Sequence, residues 1–333
     1  MPVFVSNLGC PGRCVFCNQA AFSTPVEPAG VRPVVERFLA GCARADTRRR
    51  VVAFFGGTFT ALGPRLLDGY LAETRRLVED GIVHAAKAST RPDAVDPAVL
   101  DRLAGSGFDE LEIGVQSFDD RVLDASGRGH TAADAVRASR VVRSAGLRLG
   151  IQLMPGLPGE DPASFRRTVG TAASLRPDTA RIYPTVVLAG TQLEALYRSG
   201  EYTPLSLGEA VKRSLYAMAR LEGGGCTILR MGLPQAGGLD VVAGPFHPAF
   251  GFLVRSEAYR IMAASAVDMF GPGCRLTVNP KSLCELIGHG RGTVENLTFA
   301  YDCDDTVPWG EVRVRAGDKG ACIQLKDILE YIL

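Results

Sequence analysis

The stretch GCPGRCVFCN, residues 9–18, places three cysteines, Cys10, Cys14 and Cys17, within eight residues. A proline and a glycine after the first cysteine favour a tight turn, so the three thiolates can surround one inorganic centre. Structural zinc sites and ordinary electron-transfer [4Fe-4S] clusters close their coordination with four protein ligands. The next cysteine is Cys42, far outside this loop. The loop therefore predicts a metal centre with one coordination position open to a non-protein ligand.

Phe16, an aromatic residue, stands directly before the last cysteine of this CxxxCxxC pattern. The pattern resembles the signature loop of the radical S-adenosylmethionine (SAM) superfamily. That resemblance implies a [4Fe-4S] cluster on the three cysteines and SAM as a second cofactor, whose methionine amino and carboxylate groups chelate the open iron. The alternative is three unrelated thiols, or a zinc site that borrows a distant histidine, because short motifs produce false matches. The first of the four histidines is His84.

The composition is that of an ordinary folded protein. The 333 residues are 46% hydrophobic and 22% charged, which suits one large domain of about 200–250 residues with an appendage. The N-terminus shows no leader pattern, and no apolar run reaches the roughly 20 residues that span a bilayer. We therefore expect a cytoplasmic protein with no membrane partner. The net charge of +1 does not indicate a nucleic-acid partner, which would need a local basic patch.

The remaining six cysteines show no CxxC pairing. We interpret them as separate buried or surface thiols, because the clustered trio requires a compartment in which thiols stay reduced. A second cluster, built from the last four of them, is the less favoured alternative. The six are Cys42, Cys226, Cys274, Cys284, Cys303 and Cys322.

Short apolar runs alternate with longer amphipathic stretches from residue 3 to about residue 222. This alternation predicts six β/α units with parallel strands, the sixth starting with RIYPTVVL at residues 181–188. The predicted fold class is α/β, a partial (β/α)6 barrel of the TIM type, with its site at the carboxyl ends of the strands. We assign residues 1–222 to the barrel, 223–245 to a glycine-rich bridge, and 246–333 to a smaller α+β segment on the substrate side.

Polar residues and glycines follow the ends of the second to fifth predicted strands. Adjacent glycines expose backbone groups that can bind the methionine ammonium. A glutamine on a buried parallel strand needs a partner, so two of them predict a polar ligand in the barrel mouth. The alternatives are a tight turn at the glycines and an internal hydrogen-bond network at the glutamines. The set is Gly56, Gly57, Thr58, Thr90, Arg91, Gln116 and Gln152.

Longer blocks carry a more specific resemblance: FFGGTFTAL at 54–62, EIGVQSFDDRVLDASGRGHT at 112–131, and RIYPTVVLAGTQLEALYRSGEY at 181–202. Together they resemble the radical SAM domain of the Elongator catalytic subunit, which modifies the wobble uridine of tRNA, and its prokaryotic relatives. More distantly they are similar to the oxygen-independent coproporphyrinogen oxidases. The resemblance covers residues 3 to about 205.

This second resemblance implies particular roles. The methionine of SAM would lie at Gly56, Gly57 and Thr58, the ribose at Gln116, and the adenine between Phe16 and the strand that contains Pro184 and Val186. Thr58 stands where the family's GGE motif has its acidic residue. The Elongator subunit carries an acetyltransferase domain after its barrel, and this chain ends too soon for one, so acetyl transfer is not predicted.

Residues 275–297, RLTVNPKSLCELIGHGRGTVENL, predict a strand, a helix, a glycine-rich turn and a second helix. This order resembles the KH nucleic-acid-binding module, whose GxxG loop clamps a sugar-phosphate backbone. Arg291 stands where that loop has its second glycine. The alternative, which we favour, is an αα turn that closes the open side of the barrel.

The patterns together predict a radical SAM enzyme that cleaves SAM to a 5′-deoxyadenosyl radical. Its partners would be a flavodoxin- or ferredoxin-like reductant and, as a candidate substrate, RNA and in particular tRNA. Two alternatives stay open: a small-molecule or tetrapyrrole radical enzyme of the coproporphyrinogen-oxidase type, and a non-catalytic carrier of heme or a cluster. The sequence does not identify the residues that act on the substrate; Glu160, Tyr183 and Tyr202 are candidates only.

Overall fold

The computed structural model describes residues 1–12, 14–18, 24–42, 49–234 and 239–332. The strands are β1 Pro2–Phe4, β2 Val51–Phe55, β3 Ala85–Thr90, β4 Phe108–Gln116, β5 Arg148–Leu153, β6 Thr179–Ile182, β7 Val187–Leu188, β8 Thr227–Met231, β9 Val241–Ala243, β10 Arg275–Val278, β11 Ala300–Cys303, β12 Glu311–Ala316 and β13 Lys319–Gln324. The α-helices are α1 Val31–Ala40, α2 Pro64–Glu79, α3 Pro97–Ala104, α4 Asp120–Ala125, α5 Ala132–Ser144, α6 Pro162–Ser174, α7 Gln192–Ser199, α8 Leu207–Glu222, α9 Phe250–Phe270, α10 Leu283–Ile287 and α11 Gly292–Asn296.

The main sheet contains seven parallel strands in the order β1-β2-β3-β4-β5-β6-β8. Helices connect the successive strands, so the carboxyl ends of all seven strands meet at one edge of the sheet. The predicted α/β partial barrel is thereby confirmed. Its strand count differs, since six units were expected.

Strand β8 is the strand that was not predicted. It lies inside the stretch interpreted as a glycine-rich bridge, residues 223–245. Only Ile228 and Met231 among its five residues are buried, so the apolar pattern is too weak to indicate a strand. Part of the same stretch, 235–238, lies outside the described residues. The limits given for the three segments stay predictions.

The stretch RIYPTVVL, expected as one strand, is divided into β6 and β7. Pro184 has no backbone N–H and cannot continue the ladder. Its neighbours still donate to the adjacent segment, Tyr183 N to Leu153 O at 2.9 Å and Thr185 N to Pro155 O at 2.8 Å. Strand β7 pairs instead with β9 in a separate two-stranded sheet. The chain therefore leaves the barrel wall at the edge where the site is predicted.

Helix starts follow the local sequence. Thr131 caps α5 in a capping box with Asp134, and Pro97 occupies the first turn of α3, as both residue types favour. Apolar faces then pack on the sheet; the rings of Phe54 and Phe59, both fully buried, lie 4.7 Å apart. None of the helices in the described ranges combines the length and the apolar character that a bilayer span requires.

A second sheet, in the order β11-β10-β12-β13, lies near the C-terminus. Its core is continuous with that of the barrel, because Leu215 of α8, Met262 of α9 and Leu276 of β10 belong to one buried cluster. The predicted strand, helix, turn and helix are present as β10, α10, residues 288–291 and α11. Both the KH-like interpretation and the αα turn that closes the barrel stay predictions.

Glu222, at the end of α8, supplies a pH-dependent prediction. Burial raises the pKa of its carboxyl group to about 7; Arg255 opposes and Glu285 adds to this shift. The folded state therefore holds the proton more tightly than the unfolded state, and the carboxylate destabilises the fold increasingly as pH rises from about 4.5 to 7. We expect Glu222→Gln to raise the free energy of unfolding by about 1–3 kcal/mol at pH 8 and much less at pH 5. Thermal unfolding at both pH values measures this.

The exposed residue Glu79, at the end of α2, supplies the control Glu79→Gln, which should change stability little at either pH. A Glu222→Gln variant whose stability relative to wild type is the same at pH 5 and pH 8 would contradict the prediction.

Candidate functional site

The turn at residues 56–58 lies directly against the chain that leads into the cysteine loop. Thr58 donates its backbone N–H to Leu8 O at 2.9 Å. A Cβ atom on Gly57 would lie 2.4 Å from Val5 O and 2.5 Å from Leu8 O. Only glycine permits so close an approach of two backbone segments. Gly57 therefore has a packing role beneath the loop, in addition to the ligand contact predicted for it.

We expect Gly57→Ala to destabilise the fold by about 1–3 kcal/mol, because the new methyl group overlaps two carbonyl oxygens and the loop must move. Gly63→Ala is the matched control, since a Cβ atom there has nothing within 4 Å. Chemical denaturation of the two variants measures the difference. Equal stability of both variants would show that the loop accommodates the methyl group.

The three predicted metal ligands lie on the loop after β1. Cys14 is buried, Cys17 half-buried and Cys10 exposed, and none forms a disulfide. The backbone N–H of Cys17 donates to Cys14 O at 3.0 Å, and Cys10 Sγ lies 3.2 Å from Thr58 Oγ1. Within the described ranges, no three Cys, His, Asp or Glu side chains are arranged to hold a single metal ion. The loop thus presents three thiols at the carboxyl edge of the sheet.

A buried arginine in the segment after α4 contacts this loop. Arg128 donates from Nη1 to Cys14 Sγ at 3.1 Å and from Nη2 to Gly114 O, while its Nε has no hydrogen-bond partner. The side chain is 6% exposed. It lies in the turn after α4, between Gly127 at φ 63° and Gly129 at φ 67°, conformations that favour glycine. A nearly fully buried guanidinium therefore faces the thiols with part of its donor capacity unused.

Arg91, a predicted site residue, adds a second cation. It forms a double hydrogen bond with Asp93, at 2.9 and 2.8 Å. Burial alone would lower the pKa of Arg91, but Asp93 and the nearby Cys14 and Cys10 raise it. Asp93 thus supplies a carboxylate partner for this guanidinium, whose positive charge also acts on Cys14 and Cys10.

His130 lies in the same turn as Arg128 and is 5% exposed. Burial, followed by the charges of Arg128 and Arg91, lowers its pKa to about 4, so the imidazole is neutral near pH 7. Sequence reasoning assigned no role to Arg128 or His130. The available signal is the run GRGH, which places Arg128 between two glycines and His130 directly after them, soon after a polar strand end.

The polar residues at the strand ends differ in their burial and in whether their side chains have hydrogen-bond partners. Gln116 has a left-handed backbone at φ 67°, and its buried Oε1 has no hydrogen-bond partner, as at a ligand site. The hydroxyl of Thr90 lies 2.5 Å from Thr60 Oγ1 in a buried pair, and its predicted ligand contact stays a prediction. Gln152 is half-buried and lies beside Arg181 of β6.

Phe16 joins the cysteine loop to the segment after β6. It packs against a small apolar cluster that contains Val15, Val187, Leu193 and Tyr202. The backbone reinforces this contact: Leu193 donates its N–H to Val15 O at 2.8 Å. Pro184 and Val186 are buried just before this cluster, and the hydroxyl of Thr185 between them has no hydrogen-bond partner.

The concave interior of the barrel is polar and charged. Glu112 accepts a hydrogen bond from Ser89 at 2.8 Å and lies 3.2 Å from Arg181, whose guanidinium lies 4.1 Å from the ring centre of Phe55. Two residues earlier on β4, Glu110 pairs with Lys87 of β3 at 3.1 Å. Buried ion pairs of this kind need their partners, so this part of the barrel is fixed and suits a polar guest.

Two of the three candidates for substrate chemistry have internal partners. Glu160 accepts from Arg213 at 2.5 Å and from Gly156 N at 2.7 Å, and burial raises its pKa to about 7. Tyr202 donates its hydroxyl to Gly156 O at 2.7 Å. These contacts brace the loop after β5. Tyr183 is half-buried, and burial raises its pKa.

Two family models match this chain. The family model for the Radical SAM superfamily matches residues 5–172, and that for the Radical_SAM C-terminal domain matches residues 177–260. The tRNA uridine(34) acetyltransferase of Methanocaldococcus jannaschii is 27% identical over 256 residues, 65% of this chain and 47% of the relative. Elongator complex protein 3 of Danio rerio is 30% identical over 184 residues, 48% of this chain and 33% of the relative.

Among solved structures, archaeal Methanocaldococcus infernus Elp3 with an N-terminal deletion is similar at a TM-score of 0.61 and 22% identity, over 77% of this chain and 62% of that chain. At this identity the likeness shows the fold. The chain spans about half the length of the curated relatives it matches. The second family match extends across residue 222, where the barrel was predicted to end, and includes β8.

Proposed function

Because the chain belongs to the radical SAM superfamily, we propose that Cys10, Cys14 and Cys17 bind a [4Fe-4S] cluster whose open iron is chelated by SAM. The donor set supports this: three thiols on one loop can occupy three corners of a cluster and leave the fourth free. The observation that carries the proposal is the meeting of Cys14, Arg128 and Gln116 at the carboxyl edge. There, Arg128 donates to Cys14 Sγ and keeps an unpartnered Nε, and Gln116, whose Oε1 is also unpartnered, lies near the same guanidinium beside Gly114.

The residues around the thiols suit SAM. The methionine carboxylate would pair with the unused donor of Arg128, since a charged group buried here needs an opposite charge. The turn of Gly56, Gly57 and Thr58 would receive the ammonium through backbone carbonyls. Gln116 would bind the ribose.

Further residues would contact SAM on either side of those that bind its methionine and ribose. Gln152 lies on the neighbouring strand and would also meet the polar part of the cofactor. Phe16 with Pro184 and Val186 would enclose the adenine. Thr90 is left out, because its hydroxyl is paired with Thr60.

When bound and reduced, the cluster supplies the electron that cleaves SAM to methionine and a 5′-deoxyadenosyl radical. The protein's part is to orient SAM and to exclude water, for which the buried Cys14 side of the loop is suited. The exposed Cys10 side leaves a route for a flavodoxin- or ferredoxin-like reductant. Because the three thiols must stay reduced, we propose a cytoplasmic location.

We propose an RNA, and specifically tRNA, as the substrate. Its support is the similarity to a tRNA uridine(34) acetyltransferase over 65% of this chain. The charged interior near Glu112 and Arg181 suits a polar base better than an apolar substrate. Acetyl transfer is not part of the proposal.

The test is incubation of anaerobically reconstituted, reduced protein with SAM and total tRNA, followed by mass spectrometry of the digested nucleosides. We expect 5′-deoxyadenosine to increase when tRNA is added and one uridine-derived nucleoside to change mass. SAM cleavage that is unaffected by tRNA, with unchanged nucleosides, would reject tRNA as the substrate and leave the cofactor assignment standing.

A further inference from the structure

A separate pocket of about 440 Å³ lies between the first turns of α8, the middle of α9 and the turn at residues 288–292. Helix α8 precedes the parallel strand β8 and runs opposite to it. Its first turn therefore lies toward the carboxyl edge of the sheet, as the cysteine loop does. The α8 residues that line the pocket therefore lie on the same side of the sheet as the cysteine loop.

The charge of the pocket favours an anion. Arg260 is neutralised by Glu257 through both carboxylate oxygens, at 2.7 Å each. Lys212 is exposed and forms no ion pair within the described residues, although its charge helps to lower the pKa of Glu209 one turn earlier. His289 adds a second basic group to the lining, next to the N-terminal end of the 16-residue helix α8, whose partial positive charge is capped by Ser206 and Glu209.

A buried hydroxyl provides an independent sign of a ligand. Ser256, on α9, lines the pocket and is 6% exposed, yet its Oγ has no hydrogen-bond partner. Buried polar groups are normally satisfied, so an unpartnered hydroxyl at the wall of a cavity points to an absent polar guest. Leu207, Val211 and Leu253 supply apolar wall beside it, against which a flat ring can pack.

The glycine turn at residues 288–292 forms the third side of the pocket, beside α8 and α9. A Cβ atom on Gly288 would lie 2.6 Å from Thr293 Oγ1, so the turn closes tightly onto α11. Arg291 faces Glu295 at 3.7 Å, which leaves Lys212 and His289 as the basic groups for a ligand. The residues singled out in the sequence for their glycine spacing therefore border a cavity.

We propose that this pocket binds a phosphorylated nucleoside unit, with the phosphate at Lys212 and His289 and the base against the apolar wall. The source is either one nucleotide of an RNA chain or a free mononucleotide. This inference extends the proposed action on RNA. Its test uses neither SAM nor reductant, so its outcome is separate from that of the cofactor assignment.

The test is fluorescence anisotropy of a labelled anticodon stem-loop RNA with the full chain, alongside calorimetric titration with uridine 5′-monophosphate and with inorganic phosphate. Lys212→Glu reverses the available charge, and Gly208→Phe fills the pocket at a position where a Cβ atom meets nothing within 4 Å. Lys281→Glu, exposed and outside the pocket, and Gly170→Phe, where a Cβ atom also meets nothing, are the matched controls.

We expect both pocket variants to weaken binding at least about tenfold and the controls to stay within about twofold, with the salt dependence in Lys212→Glu reduced by about one unit of slope. Loss of RNA binding identifies an RNA chain as the source; loss of mononucleotide binding alone identifies the free nucleotide. The proposal is overturned if neither ligand distinguishes pocket variants from controls, or if inorganic phosphate binds as tightly as the mononucleotide.

Discussion

Replacing Cys14 with alanine is expected to remove the iron-sulfur cluster and SAM cleavage together. Cys14 is the buried member of the trio, and its sulfur accepts the hydrogen bond from Arg128 at 3.1 Å. With two thiols left on the loop, a cluster would have two open irons and only two anchors. We expect iron and sulfide to fall to background and 5′-deoxyadenosine formation to drop by at least about 100-fold, the upper end of what perturbing a metal site costs.

Cys284→Ala is the matched control, because Cys284 is also a single free thiol but lies on α10, away from the loop. It should keep wild-type iron content and SAM cleavage. Retention of a full iron complement in Cys14→Ala would remove this residue from the ligand set and would favour the alternative of unrelated thiols.

Replacing Arg128 with glutamine is expected to weaken SAM binding while the cluster persists. The guanidinium is nearly fully buried and has an unused donor beside Cys14, so it is placed to pair with the methionine carboxylate. A charge-assisted hydrogen bond contributes about 1.5–3 kcal/mol, which corresponds to a rise in the dissociation constant of roughly 10- to 100-fold. Calorimetry with reconstituted protein measures the dissociation constant for SAM. Arg128→Lys should recover part of the affinity.

The control is Arg121→Gln, which removes an exposed arginine that lies 3.5 Å from Asp119. If Arg128→Gln instead loses iron and the remaining clustered protein binds SAM as tightly as wild type, then Arg128 holds the cysteine loop and does not bind the carboxylate. Iron content and affinity per cluster therefore separate the two roles.

The sequence was sufficient for the parts of the fold that depend on local pattern. Apolar runs that alternate with amphipathic stretches predict the parallel strands, and Thr131 and Pro97 predict helix starts, because these signals act within a few residues. Strand β8 was not predicted from the sequence, because three of its five residues are exposed. The division of β6 and β7 depends on pairing with β9, which lies more than fifty residues away along the chain.

The candidate site divides in the same way. Its cysteines, glycines and Gln116 were predicted from spacing and strand ends. Arg128 was missed because its contact with Cys14 joins residues 114 positions apart, and no local pattern indicates such a pair. The contact of Thr90 with Thr60, thirty positions earlier, was also missed, and the ligand role predicted for Thr90 stays a prediction. Long-range partners decide which polar side chains remain open.

The most direct test of the central claim is the amount of 5′-deoxyadenosine that anaerobically reconstituted protein forms from SAM after reduction with dithionite. The account predicts formation that requires reductant, that scales with bound [4Fe-4S] cluster, and that disappears in Cys14→Ala. Intact SAM recovered from reduced wild-type protein that carries a full cluster would contradict it.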